Sequence, residues 1–132
     1  MDNSEQVKSL VAQSKSAMER AYAPYSGFKV GAAVRGGSGK VHTGCNVENV
    51  SFGLTVCAER TAILKAVSEG EREIRAVAIS NSSGGPVSPC GACRQVMVEF
   101  APSDQEMQIY LASDRGVETY TLAELLPRAF KP

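Results

Sequence analysis

The stretch VCAERTAILKAVSEGEREIRAVAIS, residues 56–80, decides the fold of this chain. Its first half predicts a helix over about 56–68, with Thr55 as the N-cap and Gly70 just past the end. Its second half, residues 74–80, is almost continuously apolar, which is typical of a strand that is covered on both faces. A helix that leads into such a strand predicts the crossover connection of an α/β protein.

The pattern continues on both sides of this stretch. The capping-box pair Asn3 and Gln6 opens an apolar stripe that runs to Ala21, and Pro24 is expected to stop that helix. Four more strands are predicted over 28–34, 40–46, 108–112 and 117–121, and two more helices over 91–100 and 122–126. The order α-β-β-α-β-α-β-β-α, with two strand-helix-strand crossovers, predicts one domain over residues 1–132, with a mixed sheet and helices on both faces. His42 is expected on the surface of a strand.

Composition limits the classes of function. Lys plus Arg and Asp plus Glu both number 14, so the formal net charge is zero and no basic excess points to nucleic acid. A small-molecule substrate is therefore favoured over a polymer. No apolar run reaches the roughly 18 residues of a membrane span, and residues 1–15 lack the apolar core of a signal peptide, which predicts a cytoplasmic protein without membrane contact. In that reducing compartment the four cysteines are expected to be metal ligands or packed thiols before disulfides.

Two short segments carry the candidate chemistry, and each opens a predicted helix. They are Cys57-Ala58-Glu59-Arg60 and Pro89-Cys90-Gly91-Ala92-Cys93. Helix starts in such a sheet cluster at the carboxyl ends of the strands, so Cys57 is expected to meet Cys90 and Cys93. Three thiolates on one Zn²⁺ leave the fourth position open for water, as catalytic zinc sites do. The paired motifs are the signature of zinc-dependent nucleobase deaminases, including the three-cysteine variant with a non-ligand glutamate.

The mechanism expected from these residues centres on Glu59. It takes a proton from zinc-bound water, the hydroxide attacks C4 of a pyrimidine, and Glu59 then protonates N3 and the departing amino group. Burial should raise the pKa of Glu59, as a proton shuttle near neutral pH requires. Three thiolates and Zn²⁺ sum to −1, and the helix N-termini and Arg60 are expected to offset that charge and so tune the zinc.

The chain resembles the small homotetrameric zinc-dependent cytidine deaminases from about residue 5 to residue 130. The resembling stretches are Tyr22–Phe28, Gly44–Asn49, Cys57–Ala62, Pro89–Gln95 and Leu125–Phe130. The resemblance implies a three-layer α/β/α cytidine-deaminase-like fold with a mixed five-stranded sheet. It also implies hydrolytic deamination of cytidine and deoxycytidine, with release of ammonia, in pyrimidine salvage. One Zn²⁺ per subunit is implied, in a homotetramer whose neighbouring subunits contribute to each active site.

The same resemblance implies the substrate contacts. Phe28 would pack on the pyrimidine ring, Asn46 and Glu48 would bind the ribose hydroxyls, and the Ala58 backbone would help to hold the base. Phe130 would reach the active site of a neighbouring subunit. Phe52 departs from the family, which often has tyrosine at this position.

Four other interpretations remain open from the sequence. The cysteines could form a structural zinc site with Cys45 as the fourth ligand, or Cys90 and Cys93 could form a redox pair. A deaminase of the blasticidin S type would share the zinc motifs. A non-enzymatic binding module stabilised by zinc would keep the cysteines but have no use for Glu59.

Overall fold

The fold follows from a computed structural model that describes residues 2–102 and 107–130. Within them the elements are α1 (Ser4–Met18), β1 (Val30–Gly36), β2 (Val41–Cys45), a 3₁₀ helix (Phe52–Leu54), α2 (Ala58–Ser68), β3 (Ile74–Asn81), α3 (Gly91–Phe100), β4 (Gln108–Ser113), β5 (Gly116–Thr121) and α4 (Leu122–Leu125). The predicted order is confirmed, with the 3₁₀ helix added. Parts of the domain predicted over 1–132, including both chain ends, lie outside the described residues.

The described strands form one mixed sheet in the order β2-β1-β3-β4-β5. All neighbours are antiparallel except β3 and β4, which pair in parallel through α3. Strands β2 and β3 also run in the same direction, because both are antiparallel to β1, and α2 connects them. The two predicted crossovers therefore place the starts of α2 and α3 beyond the carboxyl ends of β2 and β3.

Helices cover both faces of the sheet, which confirms the three-layer arrangement. On one face Leu10 and Val11 of α1 pack on small residues of β1 and β3 and on Tyr110. On the other face α2 and α3 bury the larger core, in which Ile63, Met97 and many β-strand residues are fully buried. None of the described helices is long and apolar enough to cross a membrane; α1, the longest, has 15 residues.

Two predicted helix ends were wrong. Helix α1 begins with the predicted capping box but ends at Met18, so it does not extend through Ala21 to Pro24. The chain is already extended at Tyr22, whose N–H donates to the Asn46 carbonyl while its own carbonyl accepts from the Glu48 N–H. Helix α2 starts at Ala58 with Cys57 as its N-cap, not with Thr55.

The late start of α2 is caused by a backbone bridge to a residue outside the helix. Val56 exchanges both of its backbone hydrogen bonds with Val47, each 2.9 Å long, and this bridge holds the chain extended up to Cys57. The far end of α2 is as predicted, because Gly70 follows it with φ +110°, in the left-handed region that favours glycine.

Helix α2 lies unusually close to β2, and Gly44 permits the approach. A Cβ at Gly44 would lie 2.5 Å from the Ala62 nitrogen and 3.0 Å from the Ala58 carbonyl oxygen. No side chain larger than hydrogen fits there without moving the helix. The contact therefore fixes the height of α2, and with it the position of Cys57, above the sheet.

His42 is buried, at 8% exposed, and the prediction of a surface position was wrong. Its Nε2 lies 3.2 Å from a Glu71 carboxylate oxygen, and its Nδ1 lies 3.8 Å from Glu69. The Ser38 hydroxyl also donates to Glu71, at 2.5 Å. Polar partners thus make the buried position tolerable for the imidazole.

Candidate active site

Three cysteine sulfurs lie together where α2 and α3 begin. Cys57 and Cys90 are the N-caps of the two helices, and Cys93 lies in the first turn of α3. The Sγ atoms of Cys57 and Cys90 are 3.8 Å apart, those of Cys90 and Cys93 are 3.1 Å apart, and all three lie within 4.8 Å of one another. In the described part of the chain, no other group of three His, Cys, Asp or Glu side chains is close enough to share a metal ion.

The geometry of this cluster fits Zn²⁺. Zinc–sulfur bonds of about 2.3 Å at tetrahedral angles separate two sulfurs by about 3.8 Å, which is the Cys57–Cys90 distance; the Cys90–Cys93 pair, at 3.1 Å, would have to open by about 0.7 Å. Cys45 is not part of the cluster. It pairs directly with Gly31 of β1, and a Cβ at Gly31 would point into α1, 2.1 Å from the Ser14 carbonyl oxygen. Because directly opposed residues share a face of the sheet, Cys45 also faces α1, away from the other three cysteines.

The cysteines differ in acidity. The pKa of Cys57 is lowered to about 5, first by a hydrogen bond with Cys93 and further by Arg60. The pKa of Cys93 is raised, first by its hydrogen bond with Cys57 and then by burial. The positive ends of two helices also favour anionic sulfur at this place. A thiolate is thus favoured at Cys57, and thiolate is the form that binds metal.

Arg60 places a cation beside the cysteine sulfurs. One of its terminal N–H groups donates to Cys57 Sγ at 3.7 Å, and the same nitrogen donates to the Thr55 carbonyl at 3.3 Å. Its Nε is buried and has no hydrogen-bond partner, which is true of no other buried side-chain nitrogen or oxygen in the described residues. The hydrogen bond to Cys57 and the charge of its sulfur raise the pKa of Arg60, so the guanidinium is a cation beside the sulfurs.

Glu59 is the buried carboxyl group of the site, with only 5% of its surface exposed. Burial raises its pKa, and the neighbouring charge of Cys57 raises it further. A carboxyl group whose charged form is destabilised in this way accepts and releases a proton closer to neutral pH than an exposed glutamate does. Glu59 is preceded by Ala58, which is fully buried and whose N–H belongs to the first turn of α2, where N–H groups lack intrahelical acceptors.

Asn46 continues the pairing of β2 with β1 past the end of β2, by means of its side chain. Its Oδ1 accepts from the Val30 N–H, and its Nδ2 donates to the Phe28 carbonyl, both at 2.8 Å. The amide thus makes the two bonds that a backbone neighbour would make. It holds the segment that leads from Phe28 into β1.

Glu48 holds the preceding part of the same segment. One carboxylate oxygen accepts from the Tyr25 and Ser26 N–H groups, at 2.9 and 3.1 Å, and the other accepts from the Ser26 hydroxyl at 2.5 Å. These hydrogen bonds, the hydroxyl first, lower the pKa of Glu48. The carboxylate is therefore ionised at neutral pH and fixed in orientation.

Aromatic residues surround this part of the site. A shallow cavity of about 360 Å³ is lined by Tyr25, Ser26, Glu48, Phe52 and Thr55, and the rings of Tyr25 and Phe52 meet edge to face at 6.2 Å. Phe28 is half-buried. A larger cavity, of about 530 Å³, lies between the 83–86 loop and the tip of the β4–β5 hairpin, and none of the cysteines lines it, so volume alone would point to a different place.

Phe130 lies on the surface, 81% exposed, and its carbonyl accepts from Gln95 Nε2 at 3.0 Å. Arg128, two residues before Phe130, has φ +56°, so the chain turns sharply just before Phe130. The tail is thereby fixed to the helix that carries Cys93.

Sequence reasoning gave no role to two residues that hold the site together. The Ser26 hydroxyl contacts Glu48, although Ser26 lies inside one of the resembling stretches. The Arg94 guanidinium donates to the Pro89 and Leu125 carbonyls and to the Ser88 hydroxyl, and so fastens the loop before Cys90 to the C-terminal segment. The sequence feature that could have indicated this role of Arg94 is its position directly after the Pro-Cys-x-x-Cys motif.

Comparison with known proteins gives one consistent family. A sequence model described as "Cytidine and deoxycytidylate deaminase zinc-binding region" matches residues 4–109. A cytidine deaminase of Sporosarcina psychrophila is 51% identical over 125 residues, which span 94% of this chain and 90% of that protein. One from Halalkalibacterium halodurans is 50% identical and spans 92% of this chain and 91% of its own length.

Solved structures show the same likeness in three dimensions. The crystal structure of cytidine deaminase from Burkholderia pseudomallei superposes with a TM-score of 0.86 at 46% identity, covering 93% of this chain and 98% of that one. The crystal structure of the Mycobacterium tuberculosis cytidine deaminase gives a TM-score of 0.83 at 39% identity, covering 99% and 100% of the two chains.

Proposed function

Because this chain belongs to the cytidine and deoxycytidylate deaminase family, and is an enzyme of the cytidine deaminase type, we propose that it hydrolyses cytidine and deoxycytidine to uridine and deoxyuridine in pyrimidine salvage. One water is consumed and one ammonia is released for each nucleoside. The observation that carries the proposal is the three-sulfur cluster at two helix starts with the buried Glu59 beside it.

Cys57, Cys90 and Cys93 would hold one Zn²⁺ per subunit, and the bound ion would supply a Lewis acid that lowers the pKa of a water molecule. Arg60 would keep the negative charge of three thiolates from weakening that effect, through its contact with Cys57. The sharing of the sulfurs between two helix starts supports this arrangement.

Glu59 would move the protons of the reaction. It accepts a proton from the attacking water and passes one to N3 of the pyrimidine, which makes C4 more electrophilic. Glu59 would then take the second proton of that water, from the hydroxyl group now bonded to C4, and pass it to the amino group, which leaves as ammonia while the C4 carbonyl forms. Its buried position, which raises its pKa, supports both the base and the acid role.

Asn46 and Glu48 would bind the sugar through the hydrogen-bond donors and acceptors that their contacts within the protein leave unused. An amide side chain offers two donors and two acceptor sites, and the Phe28 and Val30 backbone takes one of each. A carboxylate offers about four acceptor sites, and the Tyr25–Ser26 segment takes three. One donor and one acceptor of Asn46 and one acceptor of Glu48 thus remain for hydroxyl groups, while Phe28 and the Ala58 backbone would position the base.

A homotetramer is part of the proposal. Tyr22, Tyr25, Val47, Val50, Phe52 and Leu54 are all exposed large apolar residues on two segments that the Tyr22–Val47 bridge joins. Apolar surface of this kind marks an interaction site, and a second copy of the chain would cover it. Phe130 would then reach a neighbouring active site. Light scattering should give a mass of four times 14.0 kDa, and a monomer would refute this part of the proposal.

The reaction is tested by following the ultraviolet absorbance of cytidine with zinc-loaded protein and measuring the ammonia released. We expect turnover by the wild type and a loss of about 10²- to 10⁴-fold in kcat for Glu59→Gln, with zinc still bound. Glu99→Gln, an exposed glutamate of α3, is the matched control and should remain active. A Glu59→Gln variant with near wild-type kcat would refute the mechanism, and turnover of blasticidin S without turnover of cytidine would refute the substrate.

A further inference from the structure

We propose that Ser26 is a positioning residue that makes the enzyme depend on the hydroxyl groups of the substrate's sugar, because its hydroxyl orients the Glu48 carboxylate. This inference rests on the proposed function and adds to it a residue that does not itself touch the substrate. Ser26 is exposed, so burial does not explain why its side chain is engaged on two sides.

The first side is Glu48. Three hydrogen bonds reach this carboxylate, and two of them come from Ser26: its N–H to one oxygen at 3.1 Å and its hydroxyl to the other at 2.5 Å. The remaining bond, from the Tyr25 N–H, goes to the same oxygen as the Ser26 N–H. The hydroxyl is therefore the one protein donor among the described contacts that fixes the second carboxylate oxygen. Without it, that oxygen has no described partner, and the carboxylate can turn about the oxygen that the two N–H groups hold.

The second side is Phe28. The Ser26 hydroxyl oxygen accepts from the Phe28 N–H at 3.0 Å, while the Phe28 carbonyl accepts from Asn46. Gly27, between the two residues, has φ +70°, a conformation that favours glycine and turns the backbone back on itself. One hydroxyl thus links the residue proposed to pack on the base with the residue proposed to bind the sugar.

The distinction between a positioning role and a purely structural role lies in the substrate. A carboxylate that is held in place can accept a hydrogen bond from a sugar hydroxyl without first losing rotational freedom, and that advantage exists only for a substrate that has the hydroxyl. Loss of the fixed orientation of the Glu48 carboxylate should therefore slow the turnover of cytidine and leave that of 2′,3′-dideoxycytidine nearly unchanged. Collapse of the segment from Tyr25 to Phe28 would slow the turnover of both substrates.

The chain contains a matched control. Ser38 makes the same set of contacts in the β1–β2 hairpin: its N–H and hydroxyl donate to the two oxygens of Glu71, at 3.3 and 2.5 Å, and its oxygen accepts from the Lys40 N–H at 3.2 Å. Ser38→Ala therefore removes the same hydrogen bonds without touching any residue proposed to bind substrate.

The experiment compares kcat/KM for cytidine and for 2′,3′-dideoxycytidine in zinc-loaded wild type, Ser26→Ala, Ser26→Thr and Ser38→Ala. A hydrogen bond to a charged group predicts a loss of about tenfold for Ser26→Ala on cytidine and less than about twofold on the dideoxynucleoside. Ser26→Thr, which keeps the hydroxyl, should have the wild-type ratio of kcat/KM for cytidine to kcat/KM for the dideoxynucleoside, and Ser38→Ala should have it too. In a Glu48→Ala background, Ser26→Ala should cause no further loss on cytidine, because the group that it orients is gone.

Equal losses on both substrates, or no loss on either, would overturn the inference in an enzyme that still turns over cytidine. So would a further tenfold loss in the Glu48→Ala background. Should Ser26→Ala fail to fold, Ser26→Cys serves instead, since a thiol is a weak donor. A wild type without cytidine turnover would instead overturn the proposed function, and the inference with it.

Discussion

Replacing Gly44 by alanine should disturb both the stability and the activity of this enzyme, because the added methyl group meets the backbone of α2. The new Cβ would lie 2.5 Å from the Ala62 nitrogen, 2.9 Å from the Thr61 Cβ and 3.0 Å from the Ala58 carbonyl oxygen. Two of these are backbone atoms, which no change of rotamer can move. Since favourable contacts begin near 3.5 Å, α2 must move away from β2 by about 1 Å.

The expected cost has two parts. Overpacking of this kind lowers the free energy of unfolding by about 1–3 kcal/mol. The displaced helix also carries Cys57 and Glu59 at its start, and a misplacement of about 1 Å at a catalytic group can lower kcat/KM by about 10²-fold. We therefore expect Gly44→Ala to lose both stability and turnover, including when zinc is saturating.

Urea unfolding and the cytidine assay measure the two effects. The matched control is Gly37→Ala in the β1–β2 hairpin, where the nearest atom to the added Cβ is a Glu73 carbon at an ordinary 3.6 Å. That variant should stay within about 0.5 kcal/mol of the wild type. If Gly44→Ala unfolds at the same urea concentration as the wild type and turns over cytidine at the same rate, the close approach does not fix the helix.

Two further predictions concern residues away from the reaction. Cys45→Ser should keep one zinc per chain and kcat/KM within about twofold, because Cys45 faces α1; loss of metal in atomic absorption would contradict three-cysteine ligation. Glu71→Gln should be less stable than the wild type at pH 7. The Ser38 hydroxyl and His42 lower the pKa of Glu71, so its carboxylate stabilises the fold above its unfolded pKa of about 4.3, and that advantage is lost as the pH falls through the lower folded value. The urea midpoints of the wild type and Glu71→Gln should therefore converge from pH 7 to pH 3, and a constant difference would argue against stabilisation by the Glu71 carboxylate.

The sequence predicted the elements well where local patterns decide them. The limits of α3 and the capping box of α1 follow from neighbouring residues alone. The end of α1 and the start of α2 were misplaced because Val47, outside both predicted helices, bridges to Tyr22 and to Val56. No local pattern reports such a pairing, and it holds both segments extended where their composition favours a helix.

The site divides in the same way. The meeting of the two cysteine motifs could be predicted from the sequence, because helices in crossover units begin at the carboxyl ends of the strands. The role of Ser26 could not be predicted, since a serine before glycine is typical of any turn. His42 was misplaced because its partner, Glu71, lies 29 residues away, and an imidazole with an anionic partner can be buried where a lone one is not.

Asn46 has a consequence for how freely the substrate range of this enzyme can change. The bonds that its amide makes to Phe28 and Val30 are structural, while its remaining donor and acceptor are the ones proposed for the sugar. A substitution that alters sugar recognition at this position therefore also removes the side-chain bonds at the start of β1 and leaves the Phe28 carbonyl and the Val30 N–H without these partners. Variants with a new sugar preference are more readily reached through residues such as Ser26, which act on Glu48 and leave β1 in place.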